Sequence, residues 1–221
     1  MTDDTAVSKK LVVLLHGLGR SSVSMALLAS RLRHHGFETY NHGYWSLGRS
    51  IDAHAANLRR NLERRYPDGP LELNFVTHSL GSIVARKFAS AYRNDFIFKR
   101  AVMLGPPNQG SALARKVGQN ALLAMLLGPS FRELREFDIP SATDILQIGI
   151  IAGGRQKERG FAPFLPGDND GIVTVEETYL ADSADHLIVP WLHSFLMYKP
   201  RIAEQTLHFL QHGQFYRPAP R

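Results

Sequence analysis

Apolar runs of strand length alternate along this chain with stretches of helical spacing, and no other feature restricts its fold as strongly. Residues 11–15 (Leu-Val-Val-Leu-Leu) are continuously apolar and stop at a glycine-containing turn, as a strand buried on both faces should. Helical spacing follows over 22–33, where Val23, Leu27, Leu28 and Leu32 are expected to share a face. Further strands are predicted at 37–40, 71–76, 100–104, 145–151 and 187–189, and further helices at 51–66, 80–92 and 202–210. The alternation predicts an α/β fold with about six mainly parallel strands flanked by helices. With no repeat or linker in 221 residues, a single domain over 1–221 is expected.

One stretch breaks the rhythm. About forty residues separate the strand ending at Leu104 from the one starting at Ile145, too many for an ordinary crossover. A short helical insertion is expected at about 111–139, broken at Gly128-Pro129. Its segment 121–127 is apolar on nearly every side, so it reads either as a buried core helix or as a lid or pocket wall. On the second reading Leu122, Met125 and Leu126 would contact substrate.

Composition removes several functional classes. Without cysteine there are no disulfides, thiolate zinc sites or cysteine nucleophiles. The formal charge of +6 is spread over helical stretches (Arg31, Arg33, Arg59, Arg60, Arg64, Arg65) with no basic block interleaved with aromatics. It therefore reads as a solubility feature, and no nucleic-acid partner is expected. The arginines and the 121–127 helix leave weak association with a membrane surface open as a third idea. The polar, acidic start Met1-Thr2-Asp3-Asp4-Thr5 does not read as a secretory signal, so a cytoplasmic location is expected. A mature exported form that had lost its leader would look the same. Oligomeric state has no signature here.

The most informative segment couples the strand at 71–76 to Thr77-His78-Ser79-Leu80-Gly81-Ser82. A serine between a strand and a helix stands at the carboxyl end of the sheet, where open α/β folds bind ligands. The helix behind it aims free N–H groups and its positive end at that point. The pattern is that of a nucleophile elbow, G-x-S-x-G, with Thr77 in place of the first glycine. A second Ser-x-Gly, Ser46-Leu47-Gly48, has no strand leading into it and reads as a loop.

Three other segments supply the context. His16-Gly17-Leu18-Gly19-Arg20 follows the first strand, and its glycines allow a tight turn that can direct the Leu18 N–H inward. With the N–H of Leu80 it would form a two-donor oxyanion hole. A phosphate cradle would want more glycines or a Lys-Ser/Thr pair there. The loop Pro166-Gly167-Asp168-Asn169-Asp170-Gly171 holds two candidate acids, Asp168 and Asp170, either of which could be a turn residue. It lacks the spacing of a calcium loop. His193, one of ten histidines, stands just beyond the last strand, whereas His186 is expected at the opposite rim, His78 packed sideways and His16 behind the oxyanion turn. Ser79, an aspartate and His193 then fall in the chain order of α/β-hydrolases.

The chain resembles the α/β-hydrolase superfamily, in particular its small bacterial lipase/esterase members. Leu14-Leu15-His16-Gly17-Leu18-Gly19 resembles the lipase oxyanion segment, and Thr77-His78-Ser79-Leu80-Gly81 the elbow. Gly105-Pro106-Pro107-Asn108-Gln109-Gly110-Ser111 is similar to the stretch after the next strand in many lipases, apart from the double proline. Asn169-Asp170-Gly171-Ile172-Val173 resembles the segment carrying the acid, which favours Asp170 over Asp168. The resemblance implies an α/β-hydrolase fold and a serine hydrolase of carboxylic esters, acting through an acyl-enzyme. Its triad would be Ser79, His193 and Asp170, its oxyanion hole Leu18 and Leu80, and it would need neither cofactor nor metal. The same machinery would serve an amide or a thioester. A catalytically silent binding module on this fold is the alternative from another class.

Overall fold

The computed structural model describes residues 9–68, 71–117, 128–136 and 139–218. Six strands form one sheet: β1 (Lys9–Leu15), β2 (Thr39–His42), β3 (Leu71–His78), β4 (Ile97–Leu104), β5 (Gln147–Gly153) and β6 (Asp185–Val189). Every pairing is parallel, in the spatial order β2-β1-β3-β4-β5-β6. The flanking helices are α1 (Ala26–His34), α2 (Ile51–Arg65), α3 (Leu80–Ala91), α4 (Ala112–Val117), α5 (Pro129–Glu136), α6 (Val175–Thr178) and α7 (Pro200–His212).

Strand β1 shows how the sequence produces two layers. Its side chains alternate between faces, and both faces are covered. Leu11, Val13 and Leu15 pack in a cluster with Leu58 and Leu62 of α2 and Ile83 and Phe88 of α3. Val12 and Leu14 pack with Leu28 and Leu32 of α1 and Ile202 and Phe209 of α7. Each fully buried leucine contributes about 1.5–3 kcal/mol, so a β1 without alternating polarity is what a doubly covered strand requires.

Two expectations need correction. Leu28 and Leu32 are buried as the helical spacing requires, but Val23 is 77% exposed and Leu27 44% exposed. Residues Ser22–Met25 form a 3-10 turn ahead of α1, and the buried face is carried by Met25, Leu28, Ala29 and Leu32, leaving Val23 and Leu27 on the outer row. Strand β2 starts two residues later than expected, because its register is set by pairing Val12 with Thr39 through Leu15 with His42 rather than by its own polarity. His186 lies within β6, near its amino end, where its Nε2 meets Thr178 Oγ1 at 2.8 Å. Of the 111–139 insertion, α4 and α5 are described. The apolar segment 121–127, with Leu122, Met125 and Leu126, lies outside the described residues.

The strand order places the site. From β1 the chain crosses first to β2 on one side and then to β3 on the other. The loops after β1 and β3 therefore part, opening a crevice at the carboxyl edge of the sheet. Among the described residues, no helix is long and apolar enough to cross a membrane.

Candidate active site

Ser79 is the single residue between β3 and α3, with φ 51° and ψ −122°. That left-handed value is costly for a side-chain-bearing residue, and packing on both sides enforces it. The Ser79 N–H donates to Leu104 O of β4 at 2.9 Å, and Ser82 N–H donates back to Ser79 O at 2.9 Å. Gly81 admits the close passage of α3 over β1: a Cβ there would lie 2.5 Å from Leu15 O. Thr77, the departure from the elbow pattern, is fully buried, and its hydroxyl pairs with that of Ser82 at 2.8 Å, across the serine turn.

The candidate base and acid, His193 and Asp170, lie in the loops after β6 and β5. His193 opens a 3-10 turn, His193–Tyr198, and is 4% exposed. Its Nδ1 lies 2.6 Å from Asp170 Oδ2. Asp170 is held from several directions. Its Oδ1 accepts Ile172 N–H at 3.0 Å and Val173 N–H at 2.7 Å, and its carbonyl accepts His193 N–H at 2.9 Å. The backbone thus aims one carboxylate oxygen at the imidazole and occupies the other. Gly105 lies beside this pair at φ 55°, where a Cβ would stand 2.8 Å from His193 Nδ1. Asp168 points elsewhere, accepting Arg155 N–H at 2.7 Å and Gln156 N–H at 2.8 Å. It staples a loop, and the neighbouring Asn169 side chain does the same for Ala162, Gly167 and Gly171.

His78 packs sideways as expected, its ring 4.6 Å from that of His193 and its Nε2–H donating to His193 O at 3.1 Å. Burial, reinforced by His193 and Arg20, holds its pKa well below the usual histidine value, so the ring is neutral. His16 stands behind the turn after β1. Its Nδ1–H donates to Gly17 O at 3.0 Å, and its ring stacks on Tyr44 at 4.2 Å. Burial lowers the pKa of His16 as well.

In the turn itself, Arg20 N–H reaches Gly17 O at 3.3 Å and Gly19 takes φ 66°. Gly19 N–H is spent on Ser46 Oγ at 2.9 Å, so the serine that sequence reasoning set aside as a loop residue anchors this turn. Leu18, Ser79 and His193 all line one cavity of about 510 Å³, while Leu80 is fully buried as the first residue of α3. First-turn helix N–H groups such as that of Leu80 have no partner within their own helix. Sequence reasoning missed the apolar wall from Leu113, Phe131 and Leu134 on α4 and α5. The i, i+3 spacing of Phe131 and Leu134 was the available signal. Among the described residues no cluster of His, Asp and Glu could hold a metal ion.

Compared by sequence with curated proteins, the chain matches none. Among solved structures, the mature lipase BlEst2 of Bacillus licheniformis is similar with a TM-score of 0.62 at 21% identity, over 93% of this chain and 91% of that one. A hydrolase from Oleispira antarctica gives 0.62 at 14% identity, over 93% and 92%. The NocB thioesterase domain gives 0.55 at 15% identity, over 89% and 90%. With the six-stranded parallel sheet, these likenesses establish the α/β-hydrolase fold. Residues 2–147, about two thirds of the chain, match a family model described as a domain of unknown function (DUF7379).

Proposed function

For this chain, which belongs to the DUF7379 domain family, we propose a serine hydrolase that cleaves a carboxylic ester through an acyl-enzyme. The observation that carries the reading is the buried 2.6 Å contact between His193 and Asp170, with His193 and Ser79 on the wall of one apolar cavity.

In the proposed reaction His193 Nε2 takes the proton from Ser79 Oγ as that oxygen attacks the ester carbonyl. Asp170 accepts the bond from Nδ1–H, holding the tautomer that leaves Nε2 free and stabilising the imidazolium that forms. The carbonyl oxygen becomes an oxyanion facing the N–H groups of Leu18 and Leu80. Each such donor is worth about 3–4 kcal/mol of barrier. Collapse of the intermediate expels the alcohol, which takes the proton from His193. A water then attacks the acyl-serine by the same route and releases the acid. No step needs a metal or cofactor.

Ser79→Ala is expected to stay folded, to lose p-nitrophenyl ester hydrolysis by several orders of magnitude and to resist labelling by a fluorophosphonate. Unchanged turnover by the purified variant would end the proposal. A matched panel of ester, thioester and amide substrates ranks the three acyl groups that the same machinery can attack.

A further inference from the structure

Besides Ser79 and His193, the described cavity wall carries the apolar residues Leu113, Phe131, Leu134 and Val173, the neutral polar residues Ser111, Ser194 and His78, and one ion. Of its described lining residues only Arg20 carries a fixed charge, and none is a carboxylate. Among the described residues no acidic side chain pairs with this guanidinium. Among the described residues its side-chain bond is a long one, Nη2 to Ser194 O at 3.5 Å. A guanidinium has five N–H donors in a planar fork suited to carboxylate or phosphate, and this one lines the cavity.

A half-exposed arginine is ordinarily a solvated surface group, but this one is not free to wander. Its backbone closes the turn that presents Leu18, and that turn is anchored through Gly19 on Ser46. The side chain crosses the cavity rim from the oxyanion turn to the residue after His193. Arg20 lines the same cavity as Ser79 and His193, and its charge contributes to the lowered pKa values of His16 and His78.

The side of the substrate follows from the chemistry. His193 gives its proton to the departing alcohol, so the alcohol part must sit next to that imidazole. Arg20 leans on the carbonyl of Ser194, one residue further on. Leu113, Phe131 and Leu134 also line the cavity, and their apolar side chains suit an acyl chain. We propose that the substrate is an ester whose alcohol part carries a carboxylate or phosphate held by Arg20. This specificity rests on the serine-hydrolase reading above.

Three aryl esters with one acyl chain test it: 4-(hexanoyloxy)benzoate, 4-(hexanoyloxy)phenyl phosphate and the neutral methyl 4-(hexanoyloxy)benzoate. The readout is the ratio of kcat/KM for each anionic ester to that for the neutral one, compared between variants so that intrinsic reactivity cancels. Arg20→Gln is expected to lower that ratio about tenfold for the preferred anion, as loss of a charge-assisted contact implies. Arg20→Lys should retain part of it, Arg20→Glu should invert it, and raised salt should lower it in the wild type. The anion with the larger drop identifies the group recognised. Unchanged ratios in both Arg20→Gln and Arg20→Glu, with esters still turned over by the wild type, would overturn the Arg20 assignment alone. If the wild type hydrolyses none of the three and Ser79 is not labelled by a fluorophosphonate, the hydrolase reading falls and takes this one with it.

Discussion

Replacing Asp170 by asparagine removes one charge and no volume, so it separates the acid's electrostatic role from its packing. The surroundings decide which way the amide turns. The Oδ1 position receives two backbone N–H groups, from Ile172 at 3.0 Å and Val173 at 2.7 Å. An NH2 placed there would leave two buried donors unpaired at about 1–3 kcal/mol each, so the amide oxygen stays. The NH2 then faces His193 Nδ1, where the carboxylate oxygen stood at 2.6 Å. An NH2 donates, so the imidazole must present an unprotonated Nδ1 and carry its proton on Nε2, the nitrogen that should be free to act as base. The expected loss is about 10³- to 10⁴-fold in kcat, or about 4–5.5 kcal/mol. Nitrogen NMR of the imidazole should show the proton moved from Nδ1 to Nε2, with an unchanged circular dichroism spectrum. Asp168→Asn instead disturbs only the contacts to Arg155 and Gln156, costing about 1–2 kcal/mol of stability and little rate. A folded Asp170→Asn protein within tenfold of the wild-type rate would refute the reasoning, as would equal losses in the two variants.

Two further outcomes follow from groups behind the turn. Burial pushes the pKa values of His42 and His54 down to about 4, against about 6.5 in an unfolded chain. The unfolded state therefore binds protons that the folded state refuses, so stability is full above about pH 6.5 and falls as the pH drops toward about 4. Urea midpoints should follow that course and flatten in a His42→Gln/His54→Gln variant; a midpoint rising on acidification contradicts it. Ser46→Ala removes the acceptor for Gly19 N–H and should lower kcat about tenfold with KM nearly unchanged. A raised KM at constant kcat would mean that Ser46 shapes binding rather than the oxyanion turn.

The sheet was legible because its central strands β1, β3 and β5 are largely buried on both faces. Five of the six announce themselves by apolar content, and even there the ends depart from the apolar runs, β5 starting at Gln147 rather than at 145. Strand β4 begins at Ile97 with an exposed, partly charged end before the buried stretch of Ala101–Leu104, and only pairing with Glu72 and Leu73 extends it there. Strand β2 is the least legible, since Thr-Tyr-Asn-His has almost no apolar signal and takes its register from β1. The 3-10 turn before α1 was hidden for a related reason: periods of 3.0 and 3.6 residues diverge little over four residues.

The site divides along a different line. The candidates Ser79, Asp170 and His193 could be named because each lies in a segment that follows a strand, and strand ends can be read. Several groups around them work by side-chain bonds to backbone far away in the chain. Ser46 reaches Gly19 over 27 positions, and Asn108 reaches Thr178 O over 70. Arg86, on the helix that follows the serine, ties down the carbonyls of Ile139 and Pro140 at the end of the insertion. Such bonds leave no periodicity and no local pattern, because any polar residue of the right reach serves. The arginine of the oxyanion segment belongs to the same class. In the sequence Arg20 only follows a glycine turn, and it becomes a candidate specificity residue because the fold brings the loop after β6, with Ser194, to within reach of its guanidinium. Residues that react are confined by geometry to a few positions, while residues that select and position are confined only by distance, which one strand or helix cannot encode.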